Sequence, residues 1–332
     1  MWSTTAWSSS RSRTRPFAPS SRTCDLSGNP LNASTPRGLP VVVRVGLWMS
    51  LSAVSFALLI GIVRHITPEV NVYVVNFWRN VLAAAMFAPW LMRRGFAGLH
   101  TRRHGTFALR AAFMVVATIA LYEAVALMSM AEVTSLTFTS PLFATALAVL
   151  VLGEKVGPRR WLALAIGFSG VLVILRPGFV SLEPAVLLPL LSALTFAGVM
   201  VTGKMLAATE SPESIVLYLS IWGLPLALLP ALFVWQWPTL EQALWLIAVG
   251  LAGNANMYGF ARAFRIGDAS LAMPFDFIRL PFTALVGYLA FAQQPDLWVW
   301  IGAAVIFTGS AYVTHREALA QRRAAADGGK AP

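Results

Sequence analysis

Cysteine is almost missing from this chain: Cys24 is the only one among 332 residues. A lone thiol closes no intrachain disulfide and builds no cysteine-cluster metal site. Charge is nearly as scarce. Asp, Glu, Lys and Arg make up 12% of the residues, about half the share of a soluble domain. Acids are the scarcer sign, 14 against 25 bases, which leaves a net charge of +11. No HExxH, CxxC or GxxxxGK[ST] occurs, so zinc hydrolysis and ATP-driven pumping have no motif behind them. Gly167-Phe168-Ser169-Gly170 resembles the setting of a protease serine, but that chemistry needs a base in reach. The four histidines, His65, His100, His104 and His315, fall in loops or at a helix end.

Apolar residues are what the chain has in abundance, at 57%. They gather into runs of about twenty, each long enough to cross a hydrocarbon core of about 30 Å as a helix. The runs do not alternate polar with apolar, which excludes a membrane β-barrel. The sequence predicts an all-α polytopic membrane protein. Ten transmembrane helices are expected near residues 43–63, 72–92, 108–128, 132–152, 159–177, 184–204, 214–235, 243–262, 269–291 and 297–315. Short connections suggest that consecutive helices are antiparallel neighbours. Residues 1–40, rich in Ser, Thr, Pro and Arg, read as a disordered cytoplasmic tail or an over-long start, and 316–332 as a second cytoplasmic tail.

The positive charge explains itself by position. With the N-terminus inside, nineteen Lys and Arg fall in inner segments and only Arg64 and Arg176 in outer ones. The basicity therefore reports topology and not a nucleic-acid partner. The expected setting is the inner (cytoplasmic) membrane with both termini cytoplasmic and the lipid bilayer as surrounding partner.

The chain also repeats itself. Residues 131–170 and 267–309 each hold an apolar helix with a proline, Pro141 or Pro281, and then a glycine-punctuated helix. Glu154 to Gly170 and Gln293 to Gly309 both span sixteen residues. Tyr122 and Tyr258 are 136 apart, whereas Glu154 and Gln293 are 139 apart. About three extra residues therefore lie between Asp268 and Gln293, an interval that contains Asp276 and Arg279. Five spans per copy is an odd number, so the second copy enters from the opposite side, giving two inverted five-helix repeats. Secondary transporters use such pairs to balance inward- and outward-open states.

The repeated stretch resembles the EamA module of the drug/metabolite transporter superfamily, in its ten-helix, two-module form. Pro141, Gly153, Glu154 and Gly170 carry the resemblance in a first module at 43–177. Pro281, Gly302 and Gly309 carry it in a second at 184–315. Gln293 departs from the pattern, standing where Glu is usual. The resemblance implies a secondary active transporter, not an enzyme, working without a cofactor by rocking of the two modules around a mid-membrane site. It implies export of a small polar or zwitterionic metabolite such as an amino acid. Import of S-adenosylmethionine or riboflavin is the second reading, and a non-transporting membrane partner or lipid-handling protein the third. A proton or other gradient ion and a homodimer are further expected partners.

Ionisable groups inside a membrane are costly, so each calls for a reason. Asp276 and Arg279 share a helix face as an i,i+3 pair. They either line the substrate cavity or merely neutralise their helix. Arg79 and Glu123 lie near the same membrane face and are expected to pair; Glu123 is also a candidate proton-coupling group. Asn254 and Asn256 lie about 200° apart on their helix. Asn254, which shares a face with Tyr258, is the expected substrate contact. Trp78 and Tyr122 are candidates for an aromatic wall, with core packing or lipid contact as the alternative. Glu154 is expected to cap its helix beside Lys155, Arg159 and Arg160. Gly170, Gly302 and Gly309 are expected to let helices approach closely.

Overall fold

A computed structural model describes residues 40–94, 101, 103–153, 158–175, 183–207, 209–266, 272, 275–309 and 312. All regular structure among these residues is helical. The first repeat contributes α1 (Val41–Ile66), α2 (Val72–Arg94), α3 (His104–Leu127), α4 (Met130–Thr137), α5 (Ser140–Leu152) and α6 (Pro158–Leu175). The second contributes α7 (Leu187–Ala207), α8 (Pro212–Leu232), α9 (Leu240–Ile266), α10 (Arg279–Phe291) and α11 (Leu297–Gly309). A 3-10 turn, Pro184–Val186, leads into α7.

Six of the helical segments are long and apolar enough to span a membrane on their own composition, α4 and α5 counting together as one. The others fall short for visible reasons. The α2 helix carries Asn76, Arg79 and Asn80, α10 has 13 residues, and α6 and α11 are counted only over their described residues.

The fourth helix of each repeat is broken at its middle. In the first, Phe138 and Thr139 separate α4 from α5; in the second, Phe277 and Ile278 precede α10. Both following half-helices are 13 residues long and both end on a left-handed residue, Gly153 or Ala292. The offset between the repeats is thus 139 from the break onward. The three extra residues of the second repeat precede its break, in an interval where 267–271 and 273–274 lie outside the described residues. At this register Pro141 is the second residue of α5 and Pro281 the third of α10, so the prolines are matched in role and displaced by one position.

Consecutive helices are not the principal neighbours, contrary to the expectation from short connections. Each of α1–α5 and α7–α10 packs most extensively on a helix of the other repeat. The α1 helix lies along α9 as α3 lies along α7, and α2 faces α8. Exchanging the repeats converts each of these contacts into another on the same list of pairs. The cause is local. At Gly259 a Cβ would meet Trp48 O at 2.9 Å and Ser52 N at 3.0 Å, so the missing side chain lets α9 press onto the backbone of α1. Gly170 and Gly302 do the same for α6 and α11. A Cβ on either would lie 2.7 Å from the other's carbonyl oxygen, so the two backbones approach closely here. Gly309 is buried. Glu154, and with it the expected cap, lies outside the described residues, as do 1–39 and 313–332.

Candidate functional site

The two helix breaks face one another. The rings of Phe138 and Phe277, equivalent at the 139 offset, sit 5.8 Å apart, and Phe277 continues onto Phe307 of α11 at 4.7 Å. Beside them lies a cavity of about 220 Å³ walled by both repeats. Broken helices satisfy their freed backbone groups only where protein or a cavity surrounds them. Here Thr139 and Ser140 turn their hydroxyls back onto Leu136 O and Thr137 O, at 2.6 Å each.

Of the residues expected at the site, Asp276, Arg279, Arg79 and Tyr122 line this cavity, and Pro141 does so too. Arg279 Nη2 donates to Asp276 Oδ1 at 2.8 Å, and its guanidinium lies 4.4 Å from the centre of the Phe56 ring. At the 139 offset, Asp276 and Arg279 correspond to Thr137 and Ser140, which line the cavity from the other side. One repeat thus presents a charge pair where the other presents two hydroxyls.

Arg79 does not pair with Glu123. Its Nη2 donates to Thr118 Oγ1 at 3.4 Å, on the same helix as Glu123. Helical rotation accounts for this: Tyr122 is 1% exposed and faces the cavity, which turns the next residue about 100° away. Glu123 is half-buried and outside the lining.

Asn254, Tyr258 and Trp78 do not line the cavity. Tyr258 is 52% exposed; its hydroxyl accepts from Arg262 Nε at 2.9 Å and its ring meets Trp48 edge-on. Asn254, four residues before it, is half-buried and outside the lining. Asn256 takes the inward place, donating both amide hydrogens to Ser52, to O and Oγ at 2.9 Å each. A signal for this was present: Gly250, Gly253, Asn256 and Gly259 recur every three residues, a stripe of small side chains marking the packed face. Trp78 sits edge-on to Phe77 in an apolar cluster with Val74 and Val75.

The rest of the lining is aromatic and soft. Phe56, Phe138, Phe196, Phe260 and Phe307 join Tyr122, with Met114, Met200 and Met257 between them. No periodicity in the sequence marked these phenylalanines, because a lipid-facing ring and a cavity-facing ring sit equally well in an apolar run. The cavity suits a flat, largely apolar ligand that carries a few polar groups.

A helical membrane bundle of two interleaved repeats, with a mixed aromatic and polar cavity where their fourth helices break, defines a small-molecule transporter. The chain belongs to the EamA-like transporter family, whose profile matches it twice, over residues 44–176 and 183–314. It is 35% identical over 288 residues to a riboflavin transporter of Rhizobium johnstonii, covering 84% of this chain and 93% of that one. It is 25% identical to an S-adenosylmethionine uptake transporter of Rickettsia prowazekii, covering 81% and 92%. One solved crystal structure shares the fold at a TM-score of 0.54 and 17% identity, over 83% of this chain and 98% of its own.

Proposed function

We propose that this protein takes up riboflavin across the inner membrane by alternating access, both termini being cytoplasmic. The observation that carries the reading is the lining of phenylalanines and methionines around one polar corner. Riboflavin is a flat three-ring heterocycle with a polyhydroxylated chain, so one end asks for stacking and the other for hydrogen bonds. Each well-placed ring contact contributes about 0.5–1.5 kcal/mol beyond area burial. Thr137, Ser140 and Asp276 supply oxygen acceptors for the chain hydroxyls. The likeness to a protein named for riboflavin transport supports this substrate over an amino acid, and import over the export first expected.

The cavity is walled by both repeats, so access alternates by relative movement of helix groups drawn from both rather than by two separate blocks. Saturable uptake of labelled riboflavin is expected in a bacterial strain lacking flavin synthesis, and in proteoliposomes holding the purified protein. Asp276→Asn leaves Arg279 without its partner and is expected to abolish most of the flux while the protein still inserts. Full riboflavin flux in the variant removes Asp276 from the site. Absent flux in the wild type, with uptake of S-adenosylmethionine instead, replaces the substrate.

A further inference from the structure

The polar corner of the cavity has its hydrogen-bond donors and acceptors out of balance. All four serine and threonine hydroxyls of the lining have given their protons to the main chain. Thr118 donates to Met114 O at 2.9 Å, Thr137 to Thr134 O at 2.7 Å, Ser140 to Thr137 O at 2.6 Å and Ser192 to Ala117 O at 2.8 Å. Both amide hydrogens of Asn256 are spent on Ser52. Three buried polar atoms of the lining remain without any partner: Tyr122 Oη, Arg79 Nε and Arg279 Nε. The charge is also unbalanced, two guanidiniums standing against the single carboxylate of Asp276. Glu123, the other acid of this region, is not in the lining.

Resting on the riboflavin reading, we infer that Tyr122 and Arg79 are the specificity residues of the site. They hold carbonyl acceptors on the edge of a neutral or anionic heterocycle, and the surplus positive charge rejects cationic ligands. A buried donor left unpaired costs stability, and a ligand acceptor recovers that cost on binding. Discrimination by such a site is strong because a ligand lacking the acceptor leaves the donor stranded. The flavin ring fits this demand: its pyrimidine-like edge carries two carbonyls and no positive charge. The sulfonium of S-adenosylmethionine meets the opposite condition, a cation brought beside Arg79 and Arg279.

The test uses the purified full-length protein in detergent with three ligands. Riboflavin binding is read by quenching of its fluorescence. S-adenosylmethionine and S-adenosylhomocysteine, which differ by the methyl group that makes the sulfur cationic, are read by thermal stabilisation. Tyr122→Phe is expected to weaken riboflavin about tenfold, the worth of one hydrogen bond at the upper end of its usual range. Arg79→Gln is expected to weaken riboflavin similarly and to narrow the gap between the two adenosyl ligands, with the wild type favouring the neutral thioether. Unchanged riboflavin affinity in both variants overturns the inference and leaves the transport reading intact. Failure of the wild type to bind riboflavin sinks the riboflavin reading. The rejection of cations then stands if the thioether binds better than the sulfonium and Arg79→Gln narrows that gap, and the inference falls if the sulfonium binds better or neither binds. Tyr122→Phe removes only an atom that has no partner in the ligand-free protein, so loss of folding does not cloud its result.

Discussion

Tyr122 is under two opposed demands. Its ring is buried among the apolar side chains of α1 and α2, where it stabilises the fold, while its hydroxyl has no partner. An unsatisfied buried hydroxyl costs about 1–3 kcal/mol. Tyr122→Phe is therefore expected to stabilise the ligand-free protein by about 1 kcal/mol. A rise in the detergent melting temperature without ligand, alongside weaker flavin binding, is the expected signature. A fall in melting temperature would mean that the hydroxyl already has a partner. Sequence reasoning reached Asp276 and Arg279 through their charge in apolar surroundings, because such residues are rare enough to stand out one by one, and Tyr122 only as a candidate for an aromatic wall. It preferred Asn254 to Asn256 as the ligand contact, since polarity places a residue on a helix without saying which way it points. In a soluble helix the polar face gives the rotation. In a membrane the lipid face and the packed face are both apolar, so rotation is legible only from small residues such as Gly253 and Gly259.

At the level of elements, the half-helices α5 and α10 are copies with one telling difference. Both end in the left-handed region, at Gly153 with φ 66° and at Ala292 with φ 53°. Glycine takes that conformation freely, whereas an L side chain pays about 1–2 kcal/mol for it. The Ala292 turn is held by its own N–H to Tyr288 O and by Gln293 N–H to Gly287 O, both at 3.0 Å. Gln293 also accepts from Met130 N at 3.1 Å, which ties this turn to the start of α4. That contact explains how the turn persists without glycine. Ala292→Gly is expected to raise stability by about 1 kcal/mol and Gly153→Ala to lower it by a similar amount. Thermal melts of the two variants in the same detergent check the pair, and equal shifts of the same sign would refute it. The spans themselves were legible as apolar runs, and the repeat as matched spacing. The breaks at Phe138 and Phe277 were not, because Pro141 and Pro281 both lie in the first turn of a half-helix, where proline is tolerated. A proline alone does not say whether a helix kinks there or starts there.

For the whole molecule, the two repeats pack chiefly on each other. The sequence copies itself in order, which suggests two self-contained modules side by side. The structure instead gives α1 to α9, α3 to α7 and α2 to α8, so each repeat supplies the packing partners of the other. Connectivity along the chain says nothing about this exchange; it comes from glycines such as Gly259 and from polar contacts that find their complement across the repeats. Ser192 of α7 donates to Ala117 O of α3, Asn256 of α9 to Ser52 of α1, and Arg110 of α3 to Val199 O of α7. A lone repeat would leave these groups, together with Arg79 or the Asp276–Arg279 pair, facing lipid, at several kcal/mol for each unsatisfied group. Cutting the chain between Leu175 and Glu183 separates the two halves without dividing any described helix. Either half expressed alone is expected to aggregate on extraction, whereas the two expressed together should co-purify as one monodisperse particle that binds riboflavin. Size-exclusion chromatography with a fluorescent tag on each half reads the outcome directly. A single half that runs monodisperse at its own size would show that the repeats are separable domains, and would restore rocking of whole modules as the motion that carries the ligand across.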